Sequence, residues 1–134
     1  MAGYSGTPLL KKLGIKENTS VYAFKPPADY FDLLGALPDG VKVKEKASGT
    51  LDFIHIFVKE QAVFEKEFLR GQAYLKKDGM LWVSWPKKAS KVATDLDENV
   101  IRDFGLKNGL VDVKVCAVDE VWSGLKFVFR LKDR

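Results

Sequence analysis

The sequence predicts a single three-layer α/β domain with a mostly parallel sheet of about six strands. Strand-like and helix-like segments alternate along most of the chain, which favours a parallel sheet with helices on both faces. Residues 51–58 (LDFIHIFV) are apolar almost throughout, as expected of a central strand covered on both sides. The last two strand-like segments are joined too closely for a parallel crossover, so they form an antiparallel hairpin.

Length and composition limit what this chain can be. We expect all 134 residues to form one domain, with residues 1–16 as an N-terminal arm and short helix. The formal charge is +4, from 22 basic and 18 acidic residues. The lysines are dispersed among acids without a recognisable nucleic-acid-binding motif, so binding to nucleic acid is not favoured. One cysteine, no signal stretch and no long apolar run predict a cytoplasmic protein without a membrane segment.

The first elements are short. Thr7 is a suitable N-cap for the N-terminal helix, Pro8 fits its first position and Gly14 its exit. Residues 20–24 (SVYAF) have the composition of a strand.

The middle of the chain continues the alternation. Pro27 begins a helix that we expect to reach Leu37, and residues 41–45 alternate apolar and charged side chains as an edge strand does. Residues 59–77 have helical spacing and end in basic residues followed by a glycine. Residues 80–85 then predict the next strand.

The last third supplies a helix and the hairpin. Thr94 opens a capping box for a helix that stops at Gly105, and residues 110–118 and 124–131 are strand-like. The complete order predicts a Rossmann-like domain, and its terminal hairpin resembles the way class I methyltransferase domains end.

Two blocks of sequence resemble a known family along the whole chain. They are GYSGTPLLKKLGIK near the N-terminus and a later block containing WPKK, ATDL, KVCAVDE and WSGL in that order. The chain is similar to an uncharacterised bacterial domain-of-unknown-function family. This resemblance implies a bacterial, single-domain, Rossmann-like protein and assigns no catalytic residue.

The predicted strand ends indicate where a ligand would bind. Ligands of open α/β sheets gather beyond the carboxyl ends of the strands. Here those ends are residues 25–27, 59–60 and 86–94, and the hairpin loop at 119–124 lies at the same edge.

The lysine-rich connector at 86–94 is the candidate binding site. Its lysines and hydroxyls, with backbone N–H groups at the Thr94-capped helix start, suit an anionic group. In the hairpin, Trp122 supplies a flat ring that covers either a ligand or the sheet end. The candidate ligand-binding residues are Lys87, Lys88, Ser90, Lys91, Thr94, Asp119 and Trp122. The alternative is an ordinary solvated connector.

Other reactive side chains are interpreted as structural. His55 lies among apolar neighbours, which indicates a hydrogen-bonded core histidine, and Cys116 lies within a strand as a buried thiol. One histidine and one cysteine cannot make a usual zinc site, so no metal site is expected. Asp119 and Glu120 act either as an acid–base pair or in a structural ion pair with the lysine loop, and the structural option is favoured.

Three functions follow, and the sequence leaves the cofactor, the ligand and the oligomeric state open. The first is a non-catalytic module that binds an anionic or nucleotide-like small molecule. The second is a diverged S-adenosylmethionine-dependent methyltransferase, with Glu45 as a ribose-binding acid. That function requires a glycine-rich turn after the first strand, but residues 25–28 are KPPA and no glycine lies between residue 24 and Gly35. The third is a protein-interaction domain.

Overall fold

A six-stranded sheet organises the computed structural model of the protein, which describes residues 8–134. The strands lie in the order β2-β1-β3-β4-β6-β5. Parallel pairing joins β2, β1, β3 and β4, and β6 runs antiparallel to both β4 and β5. The predicted α/β fold class is therefore confirmed. The strands are β1 Ser20–Phe24, β2 Lys42–Lys44, β3 Leu51–Phe57, β4 Leu75–Pro86, β5 Leu110–Ala117 and β6 Trp122–Phe129.

Helices cover both faces of this sheet. They are α1 Leu9–Leu13, α2 Tyr30–Leu34, α3 Gln61–Tyr74 and α4 Glu98–Lys107, with 3₁₀ turns at Lys88–Ser90 and Leu131–Asp133. One apolar core lies between the sheet and α3 and α4, and a second lies between the sheet and α1 and α2. No helix within residues 8–134 is long and apolar enough to span a membrane.

The central strand β3 joins the two cores. Ile54 and Ile56 belong to the core under α3 and α4, whereas Phe53 and Phe57 belong to the core under α1 and α2. All four side chains are at most 3% exposed. Since burial of one such side chain contributes about 1.5–3 kcal/mol, β3 anchors both layers.

The N-terminal helix α1 ends at Gly14 as predicted. Gly14 has a left-handed backbone with φ of +84°, which glycine adopts without steric cost. The indole N–H of Trp82 in β4 donates to the Leu13 carbonyl at 2.9 Å, which fixes α1 to the sheet. Pro8 is the N-cap, while Thr7 lies outside the described residues.

The second helix is shorter than the predicted Pro27–Leu37. It spans Tyr30–Leu34 because the chain first makes a tight turn, in which the Tyr30 N–H donates to the Pro27 carbonyl at 3.0 Å. It ends at Gly35, whose φ is +74°.

The third helix ends earlier than predicted, and β4 begins earlier. Leu75 is already extended, with φ of −76° and ψ of 128°, so the lysines expected at a helix end lie in β4. Leu75 pairs with Leu51 of β3, and this pairing overrides the helical pattern of the sequence. The register between β3 and β4 is irregular between Leu51 and Phe53. Gly79 permits the close approach, since a Cβ there would lie 2.8 Å from the Asp52 carbonyl oxygen.

The fourth helix differs from the prediction at both ends. Its N-cap is Asp97, whose carboxylate accepts the Val100 N–H at 2.9 Å, so Thr94 lies outside the helix. At the other end, Gly105 lies inside α4 and leaves room for the ring of Phe127, instead of stopping the helix.

A substitution at Gly105 tests this contact between α4 and β6. Gly105→Ala places a methyl group against the fully buried Phe127 ring, so we expect the free energy of unfolding to fall by about 1–3 kcal/mol. Urea denaturation measures the change. The control Asp103→Ala, on the exposed side of α4, is expected to change stability by less than about 0.5 kcal/mol. Equal stability of Gly105→Ala and the parent protein would show that the contact imposes no constraint.

Candidate functional site

The strand order creates a switch point between β1 and β3. These two strands are parallel neighbours, paired from Val21 with Phe53 to Phe24 with Ile56. After β1 the chain moves to β2 on one side, and after β3 it moves to β4 on the other. The connections therefore diverge at the carboxyl ends of β1 and β3, which is where open α/β sheets bind ligands.

A crevice of about 300 Å³ lies at this switch point. Its size is at the lower end of the range for small-molecule sites. The turn after β1, the end of β3, the start of α3 and the hairpin all contribute to it. The lining residues are Phe24, Lys25, Pro27, Phe57, Val58, Lys59, Glu60, Val63 and Trp122.

Aromatic rings form much of this switch-point crevice. The rings of Phe57 and Trp122 meet edge to face with centroids 5.2 Å apart. Trp122 is only partly buried, so part of its indole is open to the crevice. On the other side, the Lys25 ammonium lies 5.7 Å from the centroid of the Phe24 ring. Flat apolar surfaces beside a cation suit a planar ligand that carries a polar end.

Asp119 holds the hairpin bend that presents Trp122. One carboxylate oxygen of Asp119 accepts the backbone N–H groups of Val121 and Trp122, both at 2.8 Å. The Trp122 carbonyl in turn accepts the Val118 N–H at 2.9 Å. Asp119 therefore positions Trp122 through backbone hydrogen bonds, whereas the expected structural role was an ion pair with the lysine loop.

The turn after β1 has an unusual backbone. Lys25 has a φ of +46°, a left-handed conformation that costs a non-glycine residue roughly 1–2 kcal/mol. Pro26 and Pro27 follow and carry no N–H group. The turn thus lacks the glycines of a phosphate-binding loop and two of its backbone donors, while the Lys25 ammonium is a side-chain donor at this turn.

The connector at 86–94 and the hairpin bend share one edge of the sheet. Pro86 is paired with Trp122 in the β4–β6 register, and the Lys87 N–H donates to the Val121 carbonyl at 2.7 Å. The predicted proximity of these two segments is therefore present in the structure.

The candidate residues nevertheless divide between two clefts. Lys88, Lys91 and Thr94 line a second cleft of about 550 Å³, the connector cleft, on the α4 side. Trp122 lines the switch-point crevice instead. Lys87, Ser90 and Asp119 are not among the lining residues of either cleft.

The two hydroxyl groups proposed for anion binding are engaged locally. The Ser90 hydroxyl donates to the Lys87 carbonyl at 2.6 Å. The Thr94 hydroxyl donates to the Lys59 carbonyl at 2.5 Å and accepts the Leu96 N–H at 3.1 Å. Both side chains stabilise the path of the connector.

The prediction that Thr94 caps the helix start is wrong, whereas anion binding by the connector stays a prediction. The start of α4 carries the Asp97 carboxylate, which already accepts the Val100 N–H. The Asp95 carboxylate accepts the Gln61 N–H at 2.7 Å at the start of α3. Each helix start near the connector therefore has a negative side chain where the anion was expected. These carboxylates also offset the charges of Lys88 and Lys91 in the connector cleft.

His55 is buried in the core below the switch-point crevice. Its Nδ1 is 2.8 Å from the Tyr30 hydroxyl, and its Nε2 is 2.7 Å from the Ser84 hydroxyl. The side chain is 0% exposed, and burial lowers the pKa of His55 to about 3. Burial also raises the pKa of the Tyr30 hydroxyl. With both ring nitrogens hydrogen-bonded and no exposed surface, His55 is a structural residue.

Cys116 and the acidic residues offer no further chemistry. Cys116 is partly buried in β5, and burial raises the pKa of its thiol, which keeps it protonated at neutral pH. No group of three or more His, Cys, Asp or Glu within residues 8–134 is placed to hold a metal ion.

Solved structures with the same fold were found by comparison of the coordinates. An S-adenosylmethionine-dependent methyltransferase from Aquifex aeolicus has a TM-score of 0.62 at 15% identity, covering 89% of this chain and 86% of that one. Precorrin-6y C5,15-methyltransferase from Geobacter metallireducens has a TM-score of 0.61 at 9% identity, covering 91% and 85%. Aeropyrum pernix fibrillarin, in complex with natively bound S-adenosyl-L-methionine, has a TM-score of 0.60 at 12% identity, covering 90% and 72%. No protein-family model and no curated protein sequence matches the chain.

These neighbours confirm the Rossmann-like fold and its likeness to methyltransferase domains. They also overturn the main functional prediction. Because many proteins that share the fold are S-adenosylmethionine-dependent methyltransferases, the methyltransferase alternative is favoured over a non-catalytic binder of anionic ligands. The resemblance to an uncharacterised bacterial family stays a prediction, since no family model supports it.

Sequence reasoning missed most of the switch-point crevice. It identified residues 25–27 and 59–60 as strand ends but assigned no role to them. Phe24 and Phe57 were interpreted only as strand residues, and Val63 received no interpretation. The order of elements was the signal that could have located the crevice. Parallel strands joined by crossover connections have their carboxyl ends at the same edge of the sheet, where ligands bind.

The buried histidine makes a testable contribution to stability. Its pKa is about 3 in the folded protein against 6.5 unfolded, so the unfolded chain binds an extra proton as the pH falls below 6.5. Uptake of this proton by the unfolded chain should lower the free energy of unfolding by about 2 kcal/mol from pH 7.5 to pH 5.0. The slope is about 1.36 kcal/mol per pH unit well below pH 6.5. Urea denaturation at several pH values measures this loss.

The control uses the fact that the chain has one histidine. His55→Gln keeps a hydrogen-bonding side chain without a titrating ring, so its stability should change by about 2 kcal/mol less than that of the parent protein over this pH interval. The same pH dependence in both proteins would contradict a buried neutral histidine.

Proposed function

We propose that this protein is a diverged S-adenosylmethionine-dependent methyltransferase that binds its cofactor in the switch-point crevice. The observation that carries the proposal is the position of the crevice, at the carboxyl ends of β1 and β3 in a fold shared with methyltransferases. Among those neighbours, fibrillarin and magnesium protoporphyrin IX methyltransferase contain S-adenosylmethionine and its demethylated product respectively.

The residues of the crevice fit the chemistry of this cofactor. The rings of Phe24, Phe57 and Trp122 offer apolar surfaces for the adenine base and the methylthio segment. Glu45 immediately follows β2, which pairs with β1, and its exposed carboxylate would accept hydrogen bonds from ribose hydroxyls. When bound, the cofactor supplies an electrophilic methyl group, and the protein orients it and limits access of water.

Because no glycines follow β1, the cofactor would not be bound by the backbone N–H groups of a glycine-rich turn. Pro26 and Pro27 donate no backbone hydrogen bonds, so side chains take a larger share of the polar contacts. In this respect the chain has diverged from cofactor-binding domains that have a glycine-rich turn after the first strand. Membership of the uncharacterised bacterial family and a cytoplasmic location remain part of the same proposal, with a single domain over residues 1–134.

Ligand-induced stabilisation tests the proposal. Binding to the folded state raises stability by about 2.7 kcal/mol at a ligand concentration of 100 Kd. We therefore expect S-adenosylmethionine and S-adenosylhomocysteine to raise the Tm of the parent protein in a concentration-dependent way. Trp122→Ala should reduce this increase strongly, measured against the Tm of the unliganded variant, because it removes an aromatic surface of the crevice.

Two variants serve as comparisons. Trp122→Phe preserves an apolar ring in a less disruptive substitution and should retain part of the increase. Lys88→Ala changes the connector cleft alone and should retain all of it. An unchanged Tm of the parent protein at millimolar concentrations of both ligands would refute the proposed function.

A further inference from the structure

We infer that Lys25 determines the ligand specificity of the switch-point crevice by binding a carboxylate of the ligand. The inference rests on the proposed function and extends it, because it names the group through which the cofactor would be recognised. It has three supports: the backbone conformation of Lys25, the absence of a carboxylate partner, and the two prolines that follow it.

The backbone of Lys25 is the first support. Eight residues within 8–134 have a positive φ, and five of them are glycines. Among the other three, Asn18 is of a type that tolerates the left-handed region, whereas Lys25 and Lys91 are not. A glycine at position 25 would make the same turn without steric cost. Strain of this kind clusters at ligand sites, where the retained side chain performs a function.

The charges around Lys25 are the second support. Its ammonium has no carboxylate partner within residues 8–134, and it lies near the Phe24 ring. The charged lining residues of the crevice are Lys25, Lys59 and Glu60, which give a net charge of +1 from two cations and one anion. An anionic group on the ligand would complement this excess.

The two prolines are the third support. In a glycine-rich turn, backbone N–H groups bind the anionic part of a ligand. Pro26 and Pro27 cannot donate, so this turn has lost that means of recognition. The Lys25 side chain extends from the same turn into the crevice lining and provides the positive charge instead. A side chain, and not the backbone, would therefore bind the anionic group of the ligand at this turn.

S-Adenosylmethionine carries a carboxylate on its amino-acid end, and decarboxylated S-adenosylmethionine lacks only that group. Isothermal titration with this pair isolates the contact. We expect the parent protein to bind S-adenosylmethionine about two- to fivefold more tightly than the decarboxylated form, as expected for a charge pair at an exposed lysine. Lys25→Gln should abolish the difference, and Lys25→Arg should retain it.

Lys91 offers a matched control elsewhere on the protein. It is also a left-handed lysine, with φ of +59°, but it lines the connector cleft. Lys91→Gln makes the same change in net charge and should leave the preference for the carboxylate intact. Glycine variants separate strain from binding. Both Lys25→Gly and Lys91→Gly should raise the Tm of the unliganded protein by about 2–4 °C, but only Lys25→Gly should lose the preference.

The outcomes distinguish the inference from the proposed function. If the parent protein binds neither form of the ligand, the proposed function is wrong and the inference is wrong with it. If the parent binds both and Lys25→Gln keeps the same preference for the carboxylate, only the inference is overturned. A Tm that falls in Lys25→Gly would overturn the strain argument, since it would show that the lysine stabilises the turn.

Discussion

The parallel pairing of β1 with β3 is the constraint on which the site depends. It places the ends of two strands side by side although β2 lies between them in the chain. Because β3 supplies buried side chains to both apolar cores, its position is fixed by the packing of all three layers. The connections then leave in opposite directions and cannot fill the space between the strand ends. The crevice is therefore a consequence of topology, and its lining residues determine its chemistry.

The hairpin completes the crevice from the other side. Since β6 lies between β4 and β5, the bend before β6 returns to the carboxyl edge of the parallel strands. Two backbone N–H groups bound by Asp119 fix this bend, and Trp122 then meets Phe57 edge to face. An aromatic ring held in this way loses little conformational entropy when a ligand binds. The site combines a rigid apolar wall with a turn whose polar contact comes from Lys25.

The sequence was sufficient to predict the fold class and insufficient to predict which residues line the switch-point crevice. Residues 51–58 are predicted as a central strand because apolar residues on both faces are rare outside a covered sheet, and β3 spans Leu51–Phe57. The errors arose where tertiary contacts decide. Leu75 continues the helical pattern of the sequence, but it pairs with Leu51 in the sheet. Gly105 is predicted to end a helix, but it lies inside α4, where it leaves room for the Phe127 ring. Neither neighbour is close in sequence.

The candidate site shows the same limit. The rule that ligands bind at carboxyl strand ends identified the edge where both clefts lie, but the lysines drew attention to the connector cleft and away from the switch-point crevice. Asp97, and not Thr94, caps the helix there, and Asp95 caps a second helix across space. The crevice at β1 and β3 required knowing which strands are neighbours, and periodicity alone does not supply that order.

A titration of the protein with S-adenosylhomocysteine, followed by amide chemical shifts in NMR, would test the central claim most directly. The account predicts that the shifted amides cluster at Phe24, Lys25, residues 57–60 and Trp122, which border the switch-point crevice. Shifts confined to residues 86–97, which border the connector cleft, would contradict it, as would a spectrum that does not change.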